Sequence, residues 1–212
     1  FVRFFAWCIR VLAVVVVVSG EVPAGDWQTD ESGADPDETR SLYDKWGAAY
    51  SDTVTAWGYQ LPKRVATKLL DLFPNKEMLS ILDAGAGDGL VGQALRASGL
   101  NKSFIVGLDI SPELIKMAQE RGVYNETLEH DLNELLPYPP GRFAAVTCVG
   151  ALNYLESSSN VLSEFRRVTK RGGVIIFSMR SDHMNEWKHD MYLTSAQAWT
   201  LIYRSPPMPY FP

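Results

Sequence analysis

Residues 79–90 read Leu-Ser-Ile-Leu-Asp-Ala-Gly-Ala-Gly-Asp-Gly-Leu, an apolar run, an acid at Asp83, and glycines at Gly85, Gly87 and Gly89. Leu79, Ile81 and Leu82 have the pattern of a buried parallel strand, and Leu90 that of a helix start. A chain that turns from strand to helix through glycines lets a ligand approach its backbone closely. It also leaves the free N–H groups of the helix pointing at that ligand. The stretch from Asp83 through Gly85, Ala86 and Gly87 is therefore a candidate nucleotide-type site.

Spacing narrows the choice of ligand. A dinucleotide fingerprint needs a small residue three positions after its second glycine, and Leu90 stands there. No Gly-Lys-Ser/Thr follows, which excludes a P-loop. An acid at the strand end with a G-x-G-x-G loop suits a ligand that has an amino acid end and no phosphates. Asp83 would repel a pyrophosphate, whereas it can stand near an ammonium or sulfonium. A plain glycine turn between strand and helix is the competing reading at this point.

Downstream, strands and helices alternate. A helix over 90–98 ends at Gly99, and Phe104, Ile105 and Val106 make a second strand that finishes at Asp109. An acid about 20 residues beyond the glycine loop, on the neighbouring strand, is placed to accept both ribose hydroxyl protons of an adenosine. Ser111 and Pro112 then open a helix as cap and first-turn residue. A weaker third strand over 124–129 leads to His130-Asp131-Leu132, where Asp131 suits the adenine amino group and Leu132 offers its N–H and apolar cover. A plain turn aspartate is an equal reading of Asp131. A fourth strand over 143–149, a helix over 161–168 and a fifth strand over 174–179 follow, the last entered through a Lys170-Arg171-Gly172-Gly173 turn. Five strands with intervening helices imply a Rossmann-like α/β fold: an open, mostly parallel sheet with flanking helices and the ligand at the strand C-termini.

Upstream, SLYDKWGAAYSD from Ser41 places Leu42, Trp46, Ala49 and Tyr50 on one helical face. It reads as a helix packed on the domain, or as a lid whose aromatic residues close over the ligand. A second helix over 62–73 stops at Phe73-Pro74. Residues 1–40 read as an apolar leader and an acidic linker, poorly ordered. The apolar run broken by Arg10 resembles a secretory signal but is short for a membrane span. The partition expected is thus 1–40, a domain over 41–195 and an irregular Pro-rich tail over 196–212. Beyond Arg40 there are 18 acids against 17 bases, so no basic stripe announces a nucleic-acid binder. Cys8 and Cys148 lie in unlike settings, which argues against a disulfide framework and for a reducing compartment. A cytoplasmic location is expected, with a secretory or membrane-associated one as the alternative.

The loop Asp83 to Gly89, the acid Asp109, His130-Asp131-Leu132, the Gly150-Ala151-Leu152 segment and the Gly172-Gly173 turn together resemble the successive motifs of class I S-adenosylmethionine-dependent methyltransferases, over about 41–180. More narrowly, YDKWGAAYSD and LDAGAGDGLVGQAL resemble the Williams-Beuren syndrome region methyltransferase-like proteins. The resemblance implies S-adenosyl-L-methionine as cofactor. It also implies Gly85 and Gly87 at the methionine moiety, Asp109 at the ribose with Ile110 beside the adenine, Asp131 with Leu132 at the adenine, and Tyr50 and Trp46 as cover. No metal is implied. Methyl transfer needs a base only where the acceptor must lose a proton, and His183, Glu186, His189 and Tyr154 are the candidates. Asn153-Tyr154-Leu155-Glu156 lacks the Asn-Pro-Pro-Tyr pattern of amino-directed nucleic-acid methylases, so a small-molecule or protein acceptor is expected.

Such domains close their sheet with an antiparallel pair after the fifth strand. Only 33 residues follow Met179; 198–203 can serve as one strand, but the last eight contain four prolines and cannot serve as the other. Part of that hairpin is expected to be lacking, and with Phe1 in place of methionine the chain reads as incomplete or alternatively spliced. A truncated, inactive homologue and a nicotinamide-dependent oxidoreductase are the alternatives, the latter disfavoured by Leu90.

Overall fold

The computed structural model describes residues 11–19, 35–47, 49–74, 78–155, 160–181 and 199–209. Ser80–Ala84 (β2) is the central strand, and its apolar residues face both sides because a strand alternates with period two. Ile81 packs on one side with Val65, Leu69, Val91 and Leu95. Leu82 packs on the other with Phe143, Leu162 and Phe165. Phe104–Asp109 (β3), Glu126–Glu129 (β4), Phe143–Cys148 (β5) and Thr169–Arg180 (β6) complete the set of strands read from sequence. The helices that cover them are Leu61–Leu72 (α3) and Leu90–Ala97 (α4) on one face and Val161–Val168 (α6) on the other. Pro112–Arg121 (α5) follows β3. Burial on both faces explains why β2, β3 and β5 read as continuous apolar runs.

From β2 the chain steps outward to β3 and β4, then returns to the opposite side of β2 with β5 and β6. That reversal creates a crevice at the carboxyl ends of β2 and β5, the place where open α/β sheets bind ligands. All ladders among the described residues are parallel. The expected Gly172-Gly173 turn lies inside β6 as an irregularity: Phe143 pairs with Thr169, but Ala145 with Val174.

The two chain ends differ from the sequence reading. Val11–Ser19 (β1), read as part of a poorly ordered leader, is a strand of the sheet. It lies parallel to β6 with Leu12 opposite Val174 and Val18 opposite Arg180. A run rich in β-branched valine suits a pleated, buried strand as well as it suits a signal sequence, and Val14 is fully buried. On its other side β1 pairs with Trp199–Arg204 (β7), giving the order β4-β3-β2-β5-β6-β1-β7. The tail, expected to be irregular apart from a candidate strand over 198–203, thus contributes β7 and a two-residue bridge, Met208–Pro209 (β8), to β1. A parallel N-terminal strand thus lies beside β6, and no antiparallel pair closes the sheet among the described residues.

The first helix also begins earlier than expected. Pro36–Trp46 (α1) starts at Pro36 because the Asp35 side chain caps it, accepting from the Asp37 N–H at 2.8 Å. Ala49–Ala56 (α2) follows. Both lie across the crevice.

Candidate active site

The glycine loop leaves β2 with Gly85, Gly87 and Gly89 all at positive φ, 71°, 54° and 102°, a backbone that only glycine adopts without strain. Ala86 is buried and its N–H donates to the Leu108 carbonyl at 2.7 Å, which pins the loop to β3. At Gly85 a Cβ would come within 2.3 Å of the Ala151 Cβ, so the loop and the segment after β5 approach through a space that a side chain would fill.

A cavity opens at this end of the sheet. Its walls are Gly85 and Gly87 after β2, Asp109 and Ile110 after β3, Asp131, Leu132 and Asn133 after β4, and Val149, Gly150, Ala151, Tyr154 and Leu155 after β5. Helices α1 and α2 close it with Pro36, Thr39, Tyr43 and Tyr50. Seven residues singled out from sequence therefore meet at one cavity: Gly85, Gly87, Asp109, Ile110, Asp131, Leu132 and Tyr50. Tyr154, a base candidate, is there too. His183, Glu186 and His189 lie outside the described residues.

Asp109 is held by the loop it serves. Its Oδ2 accepts the Gly87 N–H at 2.7 Å and its Oδ1 the Ser111 N–H at 3.0 Å. Burial raises its pKa, and hydrogen bonds from the backbone of Ser111, Gly87 and Ile110 oppose that rise. Its remaining acceptor capacity is what a ligand hydroxyl would use. Asp131 orders its own turn, accepting the Asn133 N–H at 2.8 Å.

Three residues from the sequence reading stand back from the cavity wall. Ala86 faces β3, as described. Trp46 packs edge-on behind Tyr50, with ring centroids 5.0 Å apart. Asp83 is fully buried and lies between the neighbouring strands, its Oδ2 accepting from the Tyr124 hydroxyl at 2.6 Å and its Oδ1 from the Thr147 hydroxyl at 2.8 Å. Burial, the largest cause, pushes its pKa up to about 7 against the opposing effect of those two hydrogen bonds. Its strand position predicts an acid near the ligand; the alternation of β2 turns the side chain into the protein instead.

Sequence reading passed over Tyr43, Thr39, Leu114 and Asn133. Tyr43 sits in the same SLYDKW segment as Trp46, and its helical phase relative to Tyr50, seven residues on, was the available signal. The others become neighbours only through folding. Also unforeseen are the ties that hold α1 and α2. The Ser111 hydroxyl donates to Asp44 Oδ1 at 2.6 Å, and Arg40 Nε donates to the Ile110 carbonyl at 3.2 Å. Ser51 on α2 bonds to the buried Asp88 of the glycine loop, which pairs with Arg121 at 2.5 Å.

The comparisons with known proteins agree with this geometry. A family described as "Methyltransferase domain" matches residues 82–177, from β2 into β6. The chain is 34% identical over 154 residues to human methyltransferase-like protein 27, covering 71% of this chain and 62% of that one. It is 32% identical over 146 residues to the malonyl-[acyl-carrier protein] O-methyltransferase of Hamiltonella defensa, covering 69% and 52%. Among solved structures it resembles the magnesium protoporphyrin IX methyltransferase of Synechocystis PCC 6803 with bound S-adenosylmethionine, at a TM-score of 0.55 and 18% identity, over 76% of this chain and 88% of that one. The chain has the fold of the class I S-adenosylmethionine-dependent methyltransferases and carries the methyltransferase-domain match over 82–177. It spans between half and two thirds of the length of these two curated relatives.

The residues fit the family's cofactor: a glycine-lined approach at Gly85, a strand-end carboxylate at Asp109 and a polar turn at Asp131 face one cavity. No Lys or Arg lines it among the described residues, and no group of metal-ligating side chains occurs among them. No helix of the described residues is long and apolar enough to cross a membrane.

Proposed function

We propose that the protein transfers a methyl group from S-adenosylmethionine to an oxygen of a small molecule or of a carrier-bound or protein acceptor. The observation that carries this reading is the convergence of Gly85, Gly87, Asp109 and Asp131 on one cavity at the carboxyl ends of β2, β3 and β4. The choice of an oxygen acceptor is supported by relatives named as O-methyltransferases of malonyl-[acyl-carrier protein] and of ubiquinone biosynthesis.

When bound, the cofactor supplies an electrophilic methyl group on a sulfonium. The chain's part is to bind and orient. Asp109 accepts from the two ribose hydroxyls, and Ile110 and Leu132 flank the adenine while Asp131 accepts from its amino group. The backbone at Gly85 and Gly87 takes the methionine end. Tyr50, braced by Trp46, covers the loop and excludes water. Asp83 and Ala86 act from behind, keeping the loop in shape. Holding donor and acceptor in line is worth about 7–11 kcal/mol of barrier, so no further group is needed unless the acceptor is protonated; Tyr154 is then the described side chain best placed to take the proton.

Calorimetric titration tests the reading. Binding of S-adenosylmethionine and S-adenosylhomocysteine without binding of NAD is the expected result. A folded sample that takes up neither sulfur ligand would overturn it.

A further inference from the structure

With Asp83 turned into the core, its carboxylate is not at the cavity wall to face a ligand's positive charge. The carboxylates that do line the cavity, Asp109 and Asp131, stand after β3 and β4, at the adenosine end of the proposed cofactor. The wall also carries aromatic side chains. Tyr43, Tyr50 and Tyr154 all line it. The rings of Tyr43 and Tyr50 meet edge to face at 5.9 Å and 68°, and those of Tyr43 and Tyr154 at 5.6 Å and 85°. Tyr43 thus meets both other rings, and Tyr50 Cε1 lies 3.8 Å from the point where a Cβ on Gly87 would stand, which puts that ring beside the glycine loop.

We infer that Tyr43, Tyr50 and Tyr154 form an aromatic cage for the sulfonium, so that the site tells the charged methyl donor from its neutral demethylated product. This rests on the cofactor placement proposed above. An aromatic face attracts a cation within about 6 Å of its centroid, and more strongly where water is excluded. The absence of Lys and Arg from the described lining leaves that attraction unopposed. The cage is also held in place. Asp44, one residue beyond Tyr43, is bonded to Ser111, and Ser51, one residue beyond Tyr50, is bonded to Asp88. Preorganised rings lose little freedom when a ligand arrives. Loss of the methyl group removes the charge the rings recognise, so the same residues that favour donor binding favour product release.

The decisive quantity is the ratio of the two dissociation constants, S-adenosylhomocysteine over S-adenosylmethionine, measured by calorimetry on wild type, Tyr50→Phe, Tyr50→Leu and Tyr43→Leu, each checked for a wild-type circular dichroism spectrum. Leucine keeps apolar cover and removes the π face. The expected result is a ratio about tenfold lower in each leucine variant and within about twofold of wild type in Tyr50→Phe, consistent with the strength of a desolvated cation–π contact. Equal weakening of both ligands would overturn the cage and leave the cofactor assignment standing. Failure of folded wild type to bind either ligand would overturn both. Should the leucine variants not fold, the cage is judged on Tyr50→Phe and Tyr154→Phe: a ratio held within about twofold of wild type in both supports it, and a tenfold fall in either overturns it by assigning the discrimination to the hydroxyl.

Discussion

Two aspartates end neighbouring strands of the same sheet and have opposite fates. Asp83 on β2 pairs in register with Gly107 of β3, two residues before Asp109, and burial lifts the pKa of both carboxyls. Asp83 is held by two hydroxyls from distant parts of the chain and faces inward; Asp109 is held by backbone N–H groups of its own crevice and faces the cavity. A hydroxyl partner is a side chain that must be buried alongside the acid, whereas a backbone partner leaves the acid's outer lone pairs to a ligand. The first arrangement stabilises the sheet and the second presents a binding group.

Substitutions can break this contrast. The largest effect is expected of Asp109→Ala, which removes hydrogen bonds to a charged acceptor worth about 1.5–3 kcal/mol each. S-adenosylmethionine affinity should fall by at least about 100-fold, as read by calorimetry. Asp83→Ala is expected to act on the fold instead: with the Tyr124 and Thr147 hydroxyls left without their acceptor, urea unfolding should show a loss of about 2–4 kcal/mol. Its cofactor affinity should change far less than that of Asp109→Ala. Similar affinity losses in the two variants would dissolve the distinction between them. Tyr124→Phe removes one of the two bonds and should cost about 1 kcal/mol in the same measurement.

A further expected effect is on pH dependence. A carboxyl whose pKa is raised in the folded state binds its proton more tightly there than in the unfolded chain. Its contribution to stability is complete below the unfolded value, 3.8, and is lost as pH rises through the folded value of about 7. Asp109, also raised, acts with the same sign. Glu164 is lowered, chiefly by its hydrogen bonds with Arg167, and contributes the opposite slope at the acid end. Between pH 5 and 7 wild type should therefore lose stability as pH rises, and Asp83→Asn should lose less. A slope unchanged by that substitution would assign the dependence to other groups.

How far the chain could be read in advance depended on the range of the forces involved. The helix Val161–Val168 and the strands β2 and β5 were legible because their apolar periodicity is written within a few residues. The glycine loop was legible because its positive φ angles restrict those positions to glycine. The strand β4 was fainter: Glu126 and Glu129 are exposed, and it lies at the edge of the sheet. The strand β1 was misread because its valines carry no information about their partner, β6, which follows about 160 residues later. The contacts that hold α1 and α2 were not legible at all. Nothing near Asp44 points to Ser111, nor does anything near Ser51 point to Asp88.

The sequence by itself determined the alternation of strands and helices, the strand-to-helix turn at Gly85 to Gly89 and the acids that close β2 and β3, since each follows from local periodicity, capping or backbone freedom. Only the tertiary structure decided that Asp83 faces inward while Asp109 faces the cavity, that an N-terminal strand stands beside β6, and that three tyrosines from two helices and a turn line one cavity. Those outcomes depend on which distant segments become neighbours, and that is set by shared burial across the whole sheet, not by any short stretch of it.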